Sequence, residues 1–116
     1  MMSKALGDRG ELLAAEFMSR HGYEIVERNF RYNRAEIDLI ARKDDVIVFC
    51  EVKTRKSNTY GTGEEAVDGR KQQQIRKAAD GYVTAREIEN IEFRFDVIVV
   101  DLREKTTSIR HIMDAF

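Results

Sequence analysis

The sequence predicts a single α/β domain over residues 1–116, with a mixed sheet of about five strands flanked by helices in the order αβββαββ. Three observations lead there. Hydropathy periodicity switches from helical to alternating and back along the chain. Strands and helices mix without regular βαβ alternation, which argues against an all-parallel sheet. The chain has 116 residues and 42% apolar composition, enough for one core of modest size and too little for a second.

Helical spacing runs from about Ser3 to His21, with Leu6, Leu13 and Phe17 on one stripe and Ala14 and Met18 beside them. Gly22 is a good stop, because glycine accepts the left-handed conformation of a helix end. Tyr23 to Tyr32 reads as a strand, with Tyr23, Ile25, Phe30 and Tyr32 as apolar points. Glu36 to Ala41 and Val46 to Lys53 are two more, with a turn at Lys43-Asp44-Asp45 between them. Ser57 to Gly63 is polar, holds two glycines and reads as a mobile loop. Asp68 is a suitable N-cap for a second helix reaching about Arg86. Its inner positions are Ile75, Ala78, Ala79, Tyr82, Val83 and the stem of Lys71. Phe93 to Leu102 is the most apolar strand, and Ile109 to Met113 is a short last one.

Composition narrows the setting. No apolar run approaches the roughly 18 residues of a membrane span. The start, Met1 to Asp8, has no apolar signal-peptide core. Cys50 is the one cysteine, so neither an internal disulfide nor a cysteine-based zinc site is available. A cytoplasmic, reducing setting without a membrane partner is expected. The net charge of −1 does not announce a nucleic-acid binder, but its distribution is uneven. Arg28 to Lys77 holds 12 Lys and Arg against 8 Asp and Glu, whereas the rest of the chain holds 8 against 13.

The candidate chemistry lies in that basic middle. Glu36-Ile37-Asp38-Leu39-Ile40 is followed by Phe49-Cys50-Glu51-Val52-Lys53. Polar groups interrupt otherwise apolar strands. A period of two puts Glu51 and Lys53 on one face, about 7 Å apart at Cα. An even turn centred on Asp44-Asp45 pairs residues whose numbers add to 89. Asp38 then stands opposite Glu51 and Glu36 opposite Lys53, with facing Cβ atoms about 5 Å apart. An odd loop would send Asp38 to the other face. Two opposed carboxylates repel unless something neutralises them. Mg²⁺ or Mn²⁺ does so through hard oxygen ligands, polarises a phosphoryl oxygen and lowers the pKa of a bound water. Lys53 is placed to orient the attacking water or stabilise charge on phosphorus. Glu11 lies among Gly7, Gly10, Ala14 and Ala15, small residues that let a helix approach a sheet, and is read as a supporting carboxylate. The rival reading is ordinary strand surface charge, where a Glu–Lys pair contributes well under ~1 kcal/mol. The apolar density around the three residues favours a half-buried face instead.

Asp38 followed by Glu51-Val52-Lys53 resembles the PD-(D/E)XK nuclease superfamily, in a version whose first motif is a bare aspartate. The helical Glu11 resembles the helix glutamate of archaeal Holliday-junction resolvases in that superfamily. A closer resemblance is to the YraN-like family of uncharacterised bacterial predicted endonucleases. It rests on Gly7-Asp8-Arg9-Gly10-Glu11, Arg28-Asn29-Phe30-Arg31, Glu36 to Ile40, Phe49 to Arg55, Ala66-Val67-Asp68, Lys71 and Arg94-Phe95-Asp96, in order from about Lys4 to Val100. Ala35 and Cys50 stand where that family usually has glycine and valine.

The resemblance implies a restriction-endonuclease-like sheet, Asp38 and Glu51 as metal ligands, Lys53 as catalytic lysine, and Glu11 completing the acidic cluster. It implies a nucleic-acid substrate, with DNA in branched or damaged form as the first candidate. Arg55, Lys71, Arg31 and Arg70 are the expected phosphate contacts, giving salt-sensitive affinity. The alternative is a non-catalytic nucleic-acid-binding or partner-dependent module on the same fold. A homodimer or an accessory protein would suit a two-fold junction. Tyr60 is a candidate stacking residue in the loop. Arg94 with Asp96 reads as a structural ion pair, and His21 and His111 are given no role.

Overall fold

The computed structural model describes residues 4–56, 67–103 and 106–116. The expected loop at 57–63, Tyr60 included, lies outside them. The elements are α1 (Lys4–Arg20), β1 (Glu24–Tyr32), β2 (Ala35–Lys43), β3 (Val46–Arg55), α2 (Gly69–Ala85), β4 (Glu92–Leu102) and β5 (Thr107–Ile112). Each matches its expected counterpart within two residues at either end. The sheet order is β1-β2-β3-β4-β5. β3 and β4 run parallel and the other neighbours antiparallel, so α2 is the crossover of the parallel pair.

The two helices cover opposite faces. Leu39, Ala41, Val48, Cys50, Ile98 and Val100 pack with Ala14, Ala15 and Met18 of α1. Ile40, Ile47, Phe49, Val97 and Val99 pack with Ile75, Ala78, Ala79 and Tyr82 of α2. That double coverage explains why β3 and β4 read as nearly continuous apolar runs. Cys50 is buried in the α1 layer. No helix among the described residues is long and apolar enough to cross a membrane.

Helix ends follow local chemistry. Gly22, at φ 88°, donates to Ser19 O while Tyr23 N donates to Met18 O, the paired bonds of a left-handed helix stop. Lys43 Nζ adds a bond to His21 O at 3.0 Å. α2 opens on Asp68, whose carboxylate accepts from Lys71 N at 2.9 Å. It closes the same way as α1, with Ile88 N on Val83 O and Glu87 N on Thr84 O, but the left-handed position is Glu87, at φ 51°. A side chain there strains the backbone, so Glu87→Gly is expected to stabilise the protein by about 1 kcal/mol. Urea unfolding checks this; a loss of stability would mean that the Glu87 side chain contributes more than its strained backbone costs.

On β4, Arg94 and Asp96 form the expected ion pair. It is bidentate, with Nε and Nη2 at 2.9 and 2.8 Å from the carboxylate. His111 also reaches Asp96, at 2.6 Å, a contact the sequence did not signal.

Candidate functional site

The site sits where β2 and β3 part. The hairpin closes on Lys43 opposite Val46, so partner numbers add to 89 as the even loop requires. Pairing continues to Leu39 opposite Cys50 and stops there. The expected rungs Asp38–Glu51 and Glu36–Lys53 are therefore not part of the ladder. The reason is local: Asp38 Oδ2 accepts the Val52 N–H at 2.8 Å, so a side chain takes the donor a further rung would leave to backbone. On its other side, Arg28 pairs with Leu39 and Phe30 with Ile37, but Asn29 and Asp38 are left out of the pairing. Asn29 has φ 54°, a conformation asparagine tolerates better than most residues. Ile37 and Ile40 both pack on the α2 side, so the two-residue period slips across Asp38.

This opening holds two buried carboxylates. Asp38 is 9% exposed and Glu51 6%. Burial, and then the charge of Glu51, push the Asp38 carboxyl up to about 7, against the pull of the Val52 hydrogen bond. Glu11 and Glu36 add to the same push. Glu51 is met from α2 by the Lys71 ammonium, which donates to Oε1. Burial works to lower the Lys71 pKa, but the bond and charge of Glu51 outweigh it and raise it.

Glu11 comes in from α1. The helix approaches β3 closely because residue 10 is glycine: a Cβ there would overlap the Thr54 hydroxyl and lie 2.7 Å from its Cγ2. Burial holds the Glu11 carboxyl above its usual range, and Glu36 and Asp8 add to this. Arg28 and a hydrogen bond from the Asn29 side chain pull it back. Glu11 Oε1 is buried without a hydrogen-bond partner among the described residues.

Asp38, Glu51 and Lys71 thus come together, with Glu11 and Asn29 adjoining. Lys53 lies half-buried two residues beyond Glu51 on β3. Arg55 ends the strand, half-buried. Arg31 is exposed and lies 3.3 Å from Glu36; Arg70 is exposed in the first turn of α2. Lys71, expected to meet phosphate, is turned inward onto Glu51. The Gln72 amide bonds Val67 O at 2.7 Å. Asn29 was missed. Its signal, an asparagine inside a strand, is weak.

Among the described residues no three His, Cys, Asp or Glu side chains form a ready-made cage. Mg²⁺ and Mn²⁺ do not need one, since one or two carboxylates with water and substrate oxygens suffice. The all-oxygen pair Asp38 and Glu51, with the orphaned Glu11 oxygen nearby, fits the ligand preference of those ions.

Residues 10–100 match the model of a family described as uncharacterised protein family UPF0102. A UPF0102 protein of Chlorobium phaeobacteroides is 45% identical, over 96% of this chain and 92% of its own length. Those of Alkaliphilus metalliredigens and Syntrophomonas wolfei are 42% and 44% identical, each over 99% of this chain and 100% of their own. On the extent of these matches, the chain belongs to the UPF0102 family.

Proposed function

We propose that the chain is a Mg²⁺- or Mn²⁺-dependent endonuclease that hydrolyses phosphodiester bonds in DNA, branched or damaged DNA being its first candidate substrates. One observation carries this reading: two buried carboxylates repel each other at the mouth of the β2–β3 opening, where an apolar pair would fold more readily. The order Asp38, Glu51, Lys53 and its resemblance to PD-(D/E)XK nucleases supports the same conclusion.

Asp38 and Glu51 would hold the cation, with Glu11 acting through the surrounding water. The ion supplies polarisation of the phosphoryl oxygen and a more acidic water. Each residue of the chain then has a task. The Val52 N–H fixes the Asp38 carboxylate, so it need not reorganise during reaction. Lys71 neutralises and aligns the Glu51 carboxylate. Lys53 sets a positive charge beside the phosphate as negative charge builds there. Arg31, Arg55 and Arg70 supply phosphate contacts around the site.

Purified protein with Mn²⁺ is expected to nick DNA, and chelator to stop it. Lys53→Ala and Glu51→Gln are expected to reduce the rate at least about a hundredfold, with the far-UV spectrum unchanged. If both variants cleave as well as the wild type, the assignment is wrong. One feature favours a second reading: the Lys71 ammonium already neutralises Glu51 without a metal. Chelator-resistant binding with no cleavage of any DNA or RNA form would select that non-catalytic module.

A further inference from the structure

We propose that the groove between the β1–β2 turn and α2 is a binding track for single-stranded nucleic acid, with Tyr32 as its stacking platform and Arg34 and Lys77 as phosphate contacts. The track deepens the nuclease reading above and rests on it for its direction, towards Asp38 and Glu51.

Two adjoining cavities of about 520 and 530 Å³ share Tyr32, Asn33 and Lys77, which makes them one groove. One wall is the turn. The other is a single face of α2, formed by Gln74, Lys77, Gly81 and Thr84 at helical spacing. Both walls lead to the carboxylates. Gln74 is one turn along α2 from Lys71, which holds Glu51. Ala35 is three residues along β2 from Asp38, about 10 Å of strand.

Tyr32 is unusual in its support. It is 40% exposed, yet its ring rests on the backbone of α2 at Gly81. Any Cβ at that position would collide with the ring. Glycine inside a helix weakens it, so this position serves the approach of Tyr32 and not helix propensity. The ring is thus backed by the helix along its Cδ2–Cε2–Cζ edge and still 40% exposed, which leaves ring surface for a base to stack on. Among the described residues that line the groove, the charged ones are Arg34 and Lys77 against Asp80. Asn33 and Gln74 add amides that can meet base edges, and Ala35 and Ala85 add apolar surface that base rings can lie against. The turn and the helix rise on either side, which suits a flexible single strand better than a rigid duplex.

The test is fluorescence anisotropy of a short labelled oligothymidylate, an oligouridylate of the same length and a duplex, all in chelator so that cleavage plays no part. Wild type is expected to bind the single strands in preference to the duplex; the two single strands tell DNA from RNA. Tyr32→Ala is expected to bind about tenfold more weakly, and Tyr32→Phe as the wild type does. Lys77→Ala is expected to flatten the salt dependence by about 0.7 in log–log slope. Thermal melting confirms that each variant folds, and Tyr32→Phe separates the contribution of the ring from that of its hydroxyl. Unchanged affinity in folded Tyr32→Ala, equal duplex binding, or no oligonucleotide binding at all overturns the track. Tyr32-dependent binding without Mn²⁺-dependent cleavage would keep the track and remove the nuclease reading. Cleavage that survives with Tyr32-independent binding would do the reverse.

Discussion

Asp38→Asn is expected to abolish cation-dependent cleavage while raising the melting temperature of the cation-free protein at about pH 8 by roughly 5–10 °C. Burial and Glu51 raise the Asp38 carboxyl to about 7, against about 3.9 for an unfolded aspartate. Between those values the folded chain holds a proton that the unfolded chain has released. Stability therefore falls as pH rises from about 4 to about 7, and the penalty is complete above 7. The full difference corresponds to about 4 kcal/mol. Lys71 already offsets the partner charge on Glu51, so about 2 kcal/mol is expected to appear as stability. Asparagine keeps an oxygen for the Val52 N–H and never ionises, so it escapes the penalty. Melting curves in chelator across this range check the sign: the gap between variant and wild type should close towards about pH 4. A constant gap would mean that Asp38 does not titrate under strain. With Mn²⁺ present the order should change. Wild type gains stability in proportion to bound ion and the variant gains little.

The parts of this site that were legible in the sequence are those fixed by local rules. Loop parity at Asp44-Asp45 sets the β2–β3 register, and Lys43 opposite Val46 follows from it. Asp68 before an amphipathic stretch marks the start of α2, and its carboxylate caps Lys71 N. The end of the ladder was not legible. It depends on the Asp38 carboxylate competing for Val52 N–H and on the positive φ of Asn29, neither of which leaves a periodic trace. Lys71 was seen as a buried stem with its head at the surface. Where that head goes depends on how α2 lies over the sheet, a tertiary property that helical spacing does not encode. His111 was unassigned for a similar reason. Only the β4–β5 register, with His111 opposite Ile98, brings it beside Asp96.

That second cluster gives the other large effect, this time on the fold. Asp96→Ala is expected to cost about 3–5 kcal/mol, because it leaves charged and polar partners unpaired around a fully buried position. A chain of this size is typically stable by about 6–17 kcal/mol, so the loss is a large share of the total. Asp96 accepts from Arg94 twice, contacts His111 Nε2 at 2.6 Å and accepts from Asp114 N at 3.0 Å. Arg94 in turn donates to the Tyr23 hydroxyl at 2.6 Å, just past the end of α1. One carboxylate, through Arg94 and His111, thus ties the α1–β1 turn, β4, β5 and the C-terminal turn together. Burial works to raise its pKa, but the His111 and Arg94 hydrogen bonds outweigh it and hold the group below its usual range. This contribution is present above about pH 4, the unfolded value, and is lost as pH falls through the lower folded value. Urea unfolding at neutral pH should show the loss in Asp96→Ala, and Asp96→Asn, which keeps one acceptor, should lose about half as much. The acid limb of the wild-type stability profile should flatten in Asp96→Asn. Hydrogen exchange should quicken first in β5, the edge strand held through His111. The register opposes Asp96 to Cys50 in the α1 layer, whereas Glu51 meets Lys71 of α2 on the other side of the sheet. Cleavage per folded molecule should therefore survive in Asp96→Asn. A loss below about 1 kcal/mol in Asp96→Ala, or exchange in β5 no faster than in the wild type, would show that the four elements hold together without this carboxylate.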